Sequence, residues 1–152
     1  MPRRARADLP SGIYHVTNRG IDDAAIYLDD IDRKMFLTLL GDVVARHDWT
    51  CHAFCLMTTH YHLIVETDQP NLSRGMRRLN GGYAQSFNER HDRRGHLFGD
   101  RYSVYLIDRE DHFEKSCVYV QGLTPGSVPL TAGVAQTVDG TVPVRGQSLP
   151  RR

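Results

Sequence analysis

Three stretches rich in β-branched and aromatic residues alternate apolar and polar positions. They are GIYHVTNRG (12–20), WTCHAFCLMT (49–58) and HYHLIVET (60–67). Because successive side chains of a strand point to opposite faces of a sheet, this pattern predicts three β-strands. A tight turn near Thr58 and Thr59 joins the second and third stretches, and this predicts a β-hairpin.

Two longer stretches carry apolar residues at spacings of three and four, which is typical of an amphipathic helix. The first, residues 29–48, begins with acidic residues and aligns Ile31, Met35, Phe36, Leu39, Leu40 and Val43. The second, residues 71–91, aligns Leu72, Met76, Leu79, Tyr83 and Phe87. Gly75, Gly81 and Gly82 interrupt it, and glycine weakens a helix interior.

Residues 96–107 predict a fourth strand, and residues 108–123 a third helix with Asp108 as its N-cap. The order strand, helix, strand, strand, helix, strand predicts an α+β fold of the split βαβ type, like ferredoxins and RRM domains. Such a fold has a four-stranded antiparallel sheet with both main helices on one face, which leaves the other face open for a ligand.

The chain of 152 residues is long enough for one domain with a core, predicted at 8–123, with a basic arm at 1–7. Residues 124–152 are rich in Gly, Pro, Thr and Val without a clear period and predict an irregular, mobile tail. No apolar stretch approaches the ~20 residues of a membrane span, and the basic N-terminus lacks the apolar core of a secretory signal. We therefore expect a cytoplasmic protein without a membrane partner.

Three cysteines, Cys51, Cys55 and Cys117, cannot all pair with one another. Cys51 and Cys55 lie in one predicted strand at an even spacing, so we expect both to face the same side of the sheet. Their spacing does not match a zinc site. Buried thiols are the expected state.

The net charge of +1 conceals an uneven distribution. Aspartates concentrate in residues 22–32, whereas residues 72–101 are rich in arginine. The asymmetry indicates a basic surface and a polyanionic partner, or else a solvated charged face. The arm residues Arg3, Arg4 and Arg6 either extend this surface or form a disordered, solubilising tail.

His60 and His62 would project from the same face of a strand, whereas on a helix they would lie roughly 200° apart. Two neutral imidazoles side by side are suitable ligands for a divalent ion. The alternative is a pair of hydrogen-bonded histidines on an exposed sheet face. No HExxH motif is present to complete a metalloprotease site.

Four ordered segments resemble the HUH single-tyrosine transposases, in particular the REP-associated tyrosine transposases. They are GIYHVTNRG, AFCLMTTHYHLIVET, NLSRGMRRLNGGYAQSFNERH and GHLFGDRYSVYLIDREDHFEKSCVYV, between Asp8 and Val120. The resemblance implies that His60 and His62 bind Mg²⁺ or Mn²⁺ and that Tyr119 is the nucleophile on a catalytic helix after the last strand. It implies cleavage and rejoining of single-stranded, hairpin-associated DNA through a 5′-phosphotyrosine link.

The chain departs from the family's pattern after the tyrosine. Family members carry an amide, the third metal ligand, four residues further on, where this chain has Leu123. Gln121 has suitable chemistry but lies roughly 200° around a helix from that position. The family's arginine just before the tyrosine is Val118 here. Three hypotheses follow: an active transposase, a hairpin-binding protein with impaired chemistry, and an unrelated metal-dependent hydrolase.

Arginine side chains suit phosphate oxygens, and exposed aromatic rings can stack on unpaired bases. The candidate DNA contacts are Arg3, Arg4, Arg6, Asn18, Arg19, Arg74, Arg77, Arg78, Arg93, Arg94 and Arg101. The expected partner is single-stranded or hairpin DNA, bound by a monomer or homodimer associated with the nucleoid. The DNA sequence and the metal are left open.

Overall fold

The structure is a computed structural model, and it describes residues 9–108 together with the backbone of residues 134–137 and 140–143. The elements are β1 (Gly12–Arg19), α1 (Asp30–His47), β2 (Trp49–Leu56), β3 (His60–Thr67), α2 (Leu72–Arg90) and β4 (Ser103–Ile107). The four strands form one antiparallel sheet in the order β2-β3-β1-β4. This is the split βαβ arrangement, so the predicted fold class is confirmed.

The main core lies between the two helices and one face of the sheet. β3 contributes Tyr61, Leu63 and Val65 to it, and all three are completely buried. The ring of Phe36 on α1 lies 4.8 Å from that of Tyr61 and 5.3 Å from that of Tyr83 on α2. These aromatic contacts join sheet and helices, and the energy of the core comes mainly from such apolar burial.

The apolar pattern of α2 is confirmed, since Leu72, Met76, Leu79, Tyr83 and Phe87 are all buried. The pattern assigned to α1 is partly wrong. Ile31 is exposed, whereas the buried apolar residues of the helix are Phe36, Leu37, Leu40, Val43 and Val44. In the first turn of α1 the buried residue is Asp32. Burial of this carboxylate is possible because it forms hydrogen bonds.

A charged cluster joins the start of α1 to the end of α2. Asp29 caps α1 by accepting from the Asp32 amide, and the two nitrogens of Arg90 donate to Asp29 and Asp32 at 2.7 Å. Asp32 is completely buried and also accepts from the Leu28 amide and lies 2.9 Å from His91 Nε2. Every oxygen of this buried carboxylate is therefore paired, as burial of a charge requires.

Gly75 lets α2 approach β2 closely. A Cβ at this position would lie 2.2 Å from the indole ring of Trp49. The indole nitrogen donates to Asn71 Oδ1 at 2.7 Å, and the Asn71 amide donates to the His47 carbonyl at 2.8 Å. The glycine that weakens the helical pattern is thus a packing requirement, and α2 runs unbroken through it.

Two local predictions are corrected. β4 begins at Ser103 rather than at residue 96, because Leu97 turns into the core and Phe98 forms only an isolated bridge with Gly20. Cys51 and Cys55 are both buried but on opposite faces. A β-bulge after Cys51 reverses the alternation of side chains within β2.

Several predictions lie outside the described residues. They are the third helix from residue 109 onward, Cys117 within it, and the basic arm at residues 1–7. Within the segment 124–152, predicted to be irregular, β5 (Val134–Thr137) and β6 (Gly140–Pro143) pair antiparallel. In the part of the chain that is described, no helix is both long and apolar enough to cross a membrane.

Candidate functional site

His60 and His62 lie side by side at the start of β3, a central strand of the sheet. Their ring centroids are 5.1 Å apart. Tyr61 and Leu63 between and beyond them point into the core beneath the helices, whereas Ile64 belongs to the small cluster on the opposite face. The two imidazoles therefore project from the face that the main helices leave uncovered, as the alternation predicts.

Both imidazoles are held in the neutral form that binds metals. Burial lowers the pKa of His60, and the Arg19 guanidinium lowers it further. Burial lowers the pKa of His62 to about 4, with added repulsion from His15 and His60. At neutral pH each ring thus carries a lone pair, as a metal ligand must.

Each ring is also fixed in orientation by a partner at its Nδ1 atom. Thr59 Oγ1 lies 3.0 Å from Nδ1 of His60, and His15 Nε2 lies 3.0 Å from Nδ1 of His62. Metal-binding histidines typically have their second nitrogen held in this way. The residue that the sequence reasoning missed is His15, although β1 places it on the same face by the same alternation.

A cleft of about 530 Å³, here called the histidine cleft, opens beside the pair. Its lining is charged and polar: Thr17, Asn18, Arg19, Gly20, Asp22, Asp23, His60, His62, Gly99, Asp100, Arg101 and Ser103. Arg19 lies at its rim with its side chain 58% exposed, 3.0 Å from Asp23. An exposed ion pair of this kind is weak, so Arg19 can exchange its carboxylate for a phosphate.

The histidine pair fits two positions of a divalent metal site but does not complete it. Among the described residues, no three His, Cys, Asp or Glu side chains are grouped to hold a metal ion. Asp22 and Asp23 line the cleft, but both are exposed, and Asp23 is paired with Arg19. Gln121 and Tyr119, the predicted third ligand and nucleophile, lie outside the described residues.

The predicted DNA-contact residues occupy different environments. Six of the arginines are exposed: Arg19, Arg74, Arg77, Arg78, Arg94 and Arg101. Arg93 is half-buried and donates to Asn88 Oδ1 and to the His96 carbonyl, so it holds the turn after α2. Asn18 is buried and lies at the boundary of the histidine cleft. Arg3, Arg4 and Arg6 lie outside the described residues.

Comparisons with known proteins agree with this fold. The family model for IS200-like transposases matches residues 10–122. A solved structure of a REP-associated tyrosine transposase bound to a REP hairpin superposes with a TM-score of 0.61 at 13% identity, covering 79% of this chain and 70% of that one. A crystal structure of a protein from Deinococcus radiodurans assigned as a transposase gives 0.53 at 16% identity, covering 75% and 92%.

A comparison with curated protein sequences finds no significant match. The likeness to the two solved structures, at such low identity, concerns the fold. The family match covers the sheet, both helices and the histidine pair, and it confirms the family resemblance found in the sequence. It leaves no support for an unrelated metal-dependent hydrolase. The chain belongs to the IS200-like transposase family.

Proposed function

We propose that the protein cleaves and rejoins single-stranded, hairpin-associated DNA through a 5′-phosphotyrosine link to Tyr119. The observation that carries the proposal is the pair of neutral, oriented imidazoles of His60 and His62 beside a cleft rimmed by arginine. Family membership supports transposase chemistry on DNA. The relative bound to a REP hairpin supports a hairpin as the DNA partner of this chain.

The proposed reaction is a transesterification. The Tyr119 oxygen attacks the phosphorus, loses its proton and forms a bond to the 5′-phosphate, while the 3′ oxygen leaves and gains a proton. Attack by a 3′-hydroxyl reverses these steps and restores the phosphodiester. Tyr119 is assigned to this role by its place in the family motif.

His60 and His62 would hold the metal ion, Mg²⁺ or Mn²⁺, with Gln121 as the third candidate ligand. When bound, such an ion stabilises the negative charge that develops on the phosphate oxygens. Arg19 and Arg101 line the same cleft and would bind neighbouring phosphates. The chain's own part is therefore to orient the phosphate between the histidine pair and the tyrosine.

The basic surface would bind the remaining DNA. Arg74, Arg77 and Arg78 are exposed on α2, and Arg94 follows it. Binding to phosphates through exposed cations releases counterions and is therefore sensitive to salt. Arg3, Arg4 and Arg6 would extend this surface as a flexible arm.

A second candidate is a protein that binds hairpin DNA without cutting it. The sequence favours it at one position, because Leu123 stands where the family has its ligating amide. Metal binding by two histidines alone would be weak and cleavage slow. A covalent protein–DNA adduct separates the candidates: hairpin DNA with Mn²⁺ gives the adduct only if Tyr119 attacks, and the Tyr119→Phe variant is its control.

A further inference from the structure

The histidine pair lacks a protein ligand at the position where the family has its third one. Family members carry a ligating amide four residues after the tyrosine, and this chain has Leu123 there. Three carboxylates line the histidine cleft: Asp22, Asp23 and Asp100. Carboxylate oxygens suit Mg²⁺ and Mn²⁺, and two histidines with one carboxylate form a ligand set that leaves positions open for a substrate. A carboxylate of the cleft is therefore a chemically suitable replacement for the missing amide.

The loop 20–26 is hydrogen-bonded to the turn that leads into His60. Its first and last amides donate to the two carbonyl groups of that turn, each at 2.8 Å: Gly20 to Thr59 and Ile26 to Thr58. Inside the loop, the Asp23 amide donates to the Gly20 carbonyl at 3.2 Å. The backbone of Asp23 is therefore held beside the start of β3, at the edge of the histidine cleft.

The Asp23 carboxylate is close to His60. Arg19 is the register partner of His60 across β1 and β3, so both side chains project from the same face of the sheet. Asp23 Oδ1 accepts a hydrogen bond from Arg19 Nη1 at 3.0 Å. Burial and the Arg19 charge lower the pKa of His60, and the Asp23 charge acts against them. Among the described carboxylates, Asp23 is the one whose charge acts on this imidazole.

We propose that Asp23 is the third protein ligand of the divalent ion, and that it reaches the ion when Arg19 exchanges this carboxylate for a DNA phosphate. While Asp23 is paired with Arg19, no three ligands are grouped around one point among the described residues. The pair is exposed and therefore weak, and an exposed side chain changes rotamer readily. The proposal rests on the proposed function, which supplies both the phosphate and the ion.

The exchange couples DNA binding to metal binding. A phosphate on Arg19 releases Asp23, and Asp23 then adds a negatively charged ligand to the two neutral imidazoles. By linkage, a DNA that raises the Mn²⁺ affinity by a given factor is itself bound more tightly by the same factor when Mn²⁺ is present. The chain would thus bind the metal ion tightly only when a phosphate occupies the histidine cleft.

Two adjacent aspartates give a matched pair of variants. Asp22 and Asp23 both line the cleft, both are exposed, and both have a left-handed backbone, with φ of 52° and 57°. Glycine adopts this conformation without strain, so Asp22→Gly and Asp23→Gly each remove one carboxylate while the loop is kept. Arg19→Gln removes the cation that holds Asp23, and it therefore releases this carboxylate without any DNA.

The experiment is isothermal titration of the full chain with MnCl₂ in the absence of DNA. In the Arg19→Gln background, Asp23→Gly should lower the Mn²⁺ affinity by about tenfold or more, because the number of charged ligands sets the affinity of a site for such ions. Asp22→Gly in the same background should change it by less than about threefold, since exposed charges that do not bind the ion are screened. Arg19→Gln should strengthen Mn²⁺ binding by a larger factor when Asp23 is present than when it is glycine, which separates release of the ligand from removal of a positive charge.

Asp23→Asn and Gln121→Ala, also in the Arg19→Gln background, keep the proposal testable if thermal denaturation shows that Asp23→Gly fails to fold. Asparagine suits a left-handed backbone as well, and its neutral amide should bind Mn²⁺ more weakly than the carboxylate does. Gln121→Ala should leave the Mn²⁺ affinity unchanged.

Three results would overturn the proposal: equal Mn²⁺ affinities for Asp22→Gly and Asp23→Gly, an undiminished affinity in Asp23→Asn, or a loss of affinity in Gln121→Ala. The adduct assay separates this proposal from the proposed function. An adduct at Tyr119 together with any of these results refutes the third ligand alone. Mn²⁺ binding that depends on Asp23 without an adduct refutes cleavage alone, and absence of Mn²⁺ binding by both wild type and Arg19→Gln refutes the third ligand and the histidine metal site together.

Discussion

The imidazoles of His15 on β1 and His62 on β3 are joined by a contact of 3.0 Å between His15 Nε2 and His62 Nδ1. The antiparallel register pairs Thr17 with His62, which brings His15 within reach on the same face. Donation from His62 Nδ1 would fix the tautomer in which Nε2 carries the lone pair that a metal requires. His15 would then position a metal ligand without touching the metal.

Replacing His15 should therefore weaken metal binding. His15→Gln is expected to lower Mn²⁺ affinity by roughly tenfold, because partners of metal-bound histidines contribute on that scale. Isothermal titration with MnCl₂ measures it. The control is His52→Gln, which removes a histidine paired with Glu66 at 2.6 Å and should leave Mn²⁺ affinity unchanged. Equal affinities for His15→Gln and wild type would remove His15 from the site.

The glycines of α2 should respond oppositely to alanine. Gly75→Ala places a methyl group within the Trp49 ring and should lower the free energy of unfolding by about 1–3 kcal/mol. Gly81→Ala enters open space and should raise it by about 0.5–1 kcal/mol, since alanine favours the helix. Urea denaturation followed by circular dichroism measures both. A stabilising Gly75→Ala would mean that the helix does not pack against Trp49.

The cluster of Asp29, Asp32 and Arg90 should make stability depend on pH in the acidic range. Hydrogen bonds from Arg90 and from the Asp32 amide lower the pKa of Asp29 from 3.8 to about 2. The pKa of Asp32 is also lowered: burial acts against this, but the Leu28 amide, His91 and Arg90 outweigh it. The folded state therefore binds fewer protons than the unfolded state, and the stabilisation present above about pH 4 is lost as pH falls towards 2.

Asp32→Asn tests this dependence. It should lower the Tm at pH 7 by roughly 5–10 °C. The fall in Tm between pH 4 and 2 should also become less steep, because one of the two carboxylates with a lowered pKa has been removed. Asp42→Asn is the control: its exposed pair with Arg46 spans 3.8 Å and should contribute almost nothing. A decline in Asp32→Asn as steep as in wild type would assign the acid sensitivity to other groups.

DNA affinity should fall as the salt concentration rises, and the steepness of this fall should increase with the number of arginines that contact phosphates. Substituting Arg77 or Arg78 with alanine should reduce the slope of log K against log salt by about 0.7 for single strands. Arg33→Gln, which removes a charge that is paired with Asp30 at 3.6 Å on α1, should leave the slope unchanged. Fluorescence anisotropy at several NaCl concentrations measures it. A slope unaffected by the α2 arginines would place the DNA elsewhere.

The sequence allowed the order of the described elements and the shared face of His60 and His62 to be predicted, because both follow from periodicity within a single segment. It did not reveal the β-bulge that places Cys51 and Cys55 on opposite faces of the sheet, because one extra residue in β2 cannot be recognised from the sequence of the strand. The late start of β4 was missed because the burial of Leu97 depends on the core that it enters. The contact of His15 with His62 depends on strand register, which no single stretch determines.

The buried polar contacts of Asn18 and Tyr61 were also beyond the sequence. Asn18 was predicted as a polar contact to DNA, and its side chain is buried with Oδ1 accepting from the Arg19 amide. The Tyr61 hydroxyl donates to Asn80 Oδ1, and only the packing of α2 on the sheet brings this amide to the hydroxyl. The pattern of residues within one segment does not predict hydrogen bonds between side chains of distant segments.

The central claim is that Tyr119 forms a covalent bond to DNA beside His60 and His62. The most direct measurement is a denaturing gel of wild type and Tyr119→Phe incubated with labelled hairpin DNA and saturating Mn²⁺. Wild type should give a labelled protein–DNA band; Tyr119→Phe should give none while binding the hairpin with unchanged affinity, because only the attacking oxygen is removed. An equal adduct in Tyr119→Phe would contradict the nucleophile assignment, and binding by both without any adduct would contradict cleavage itself.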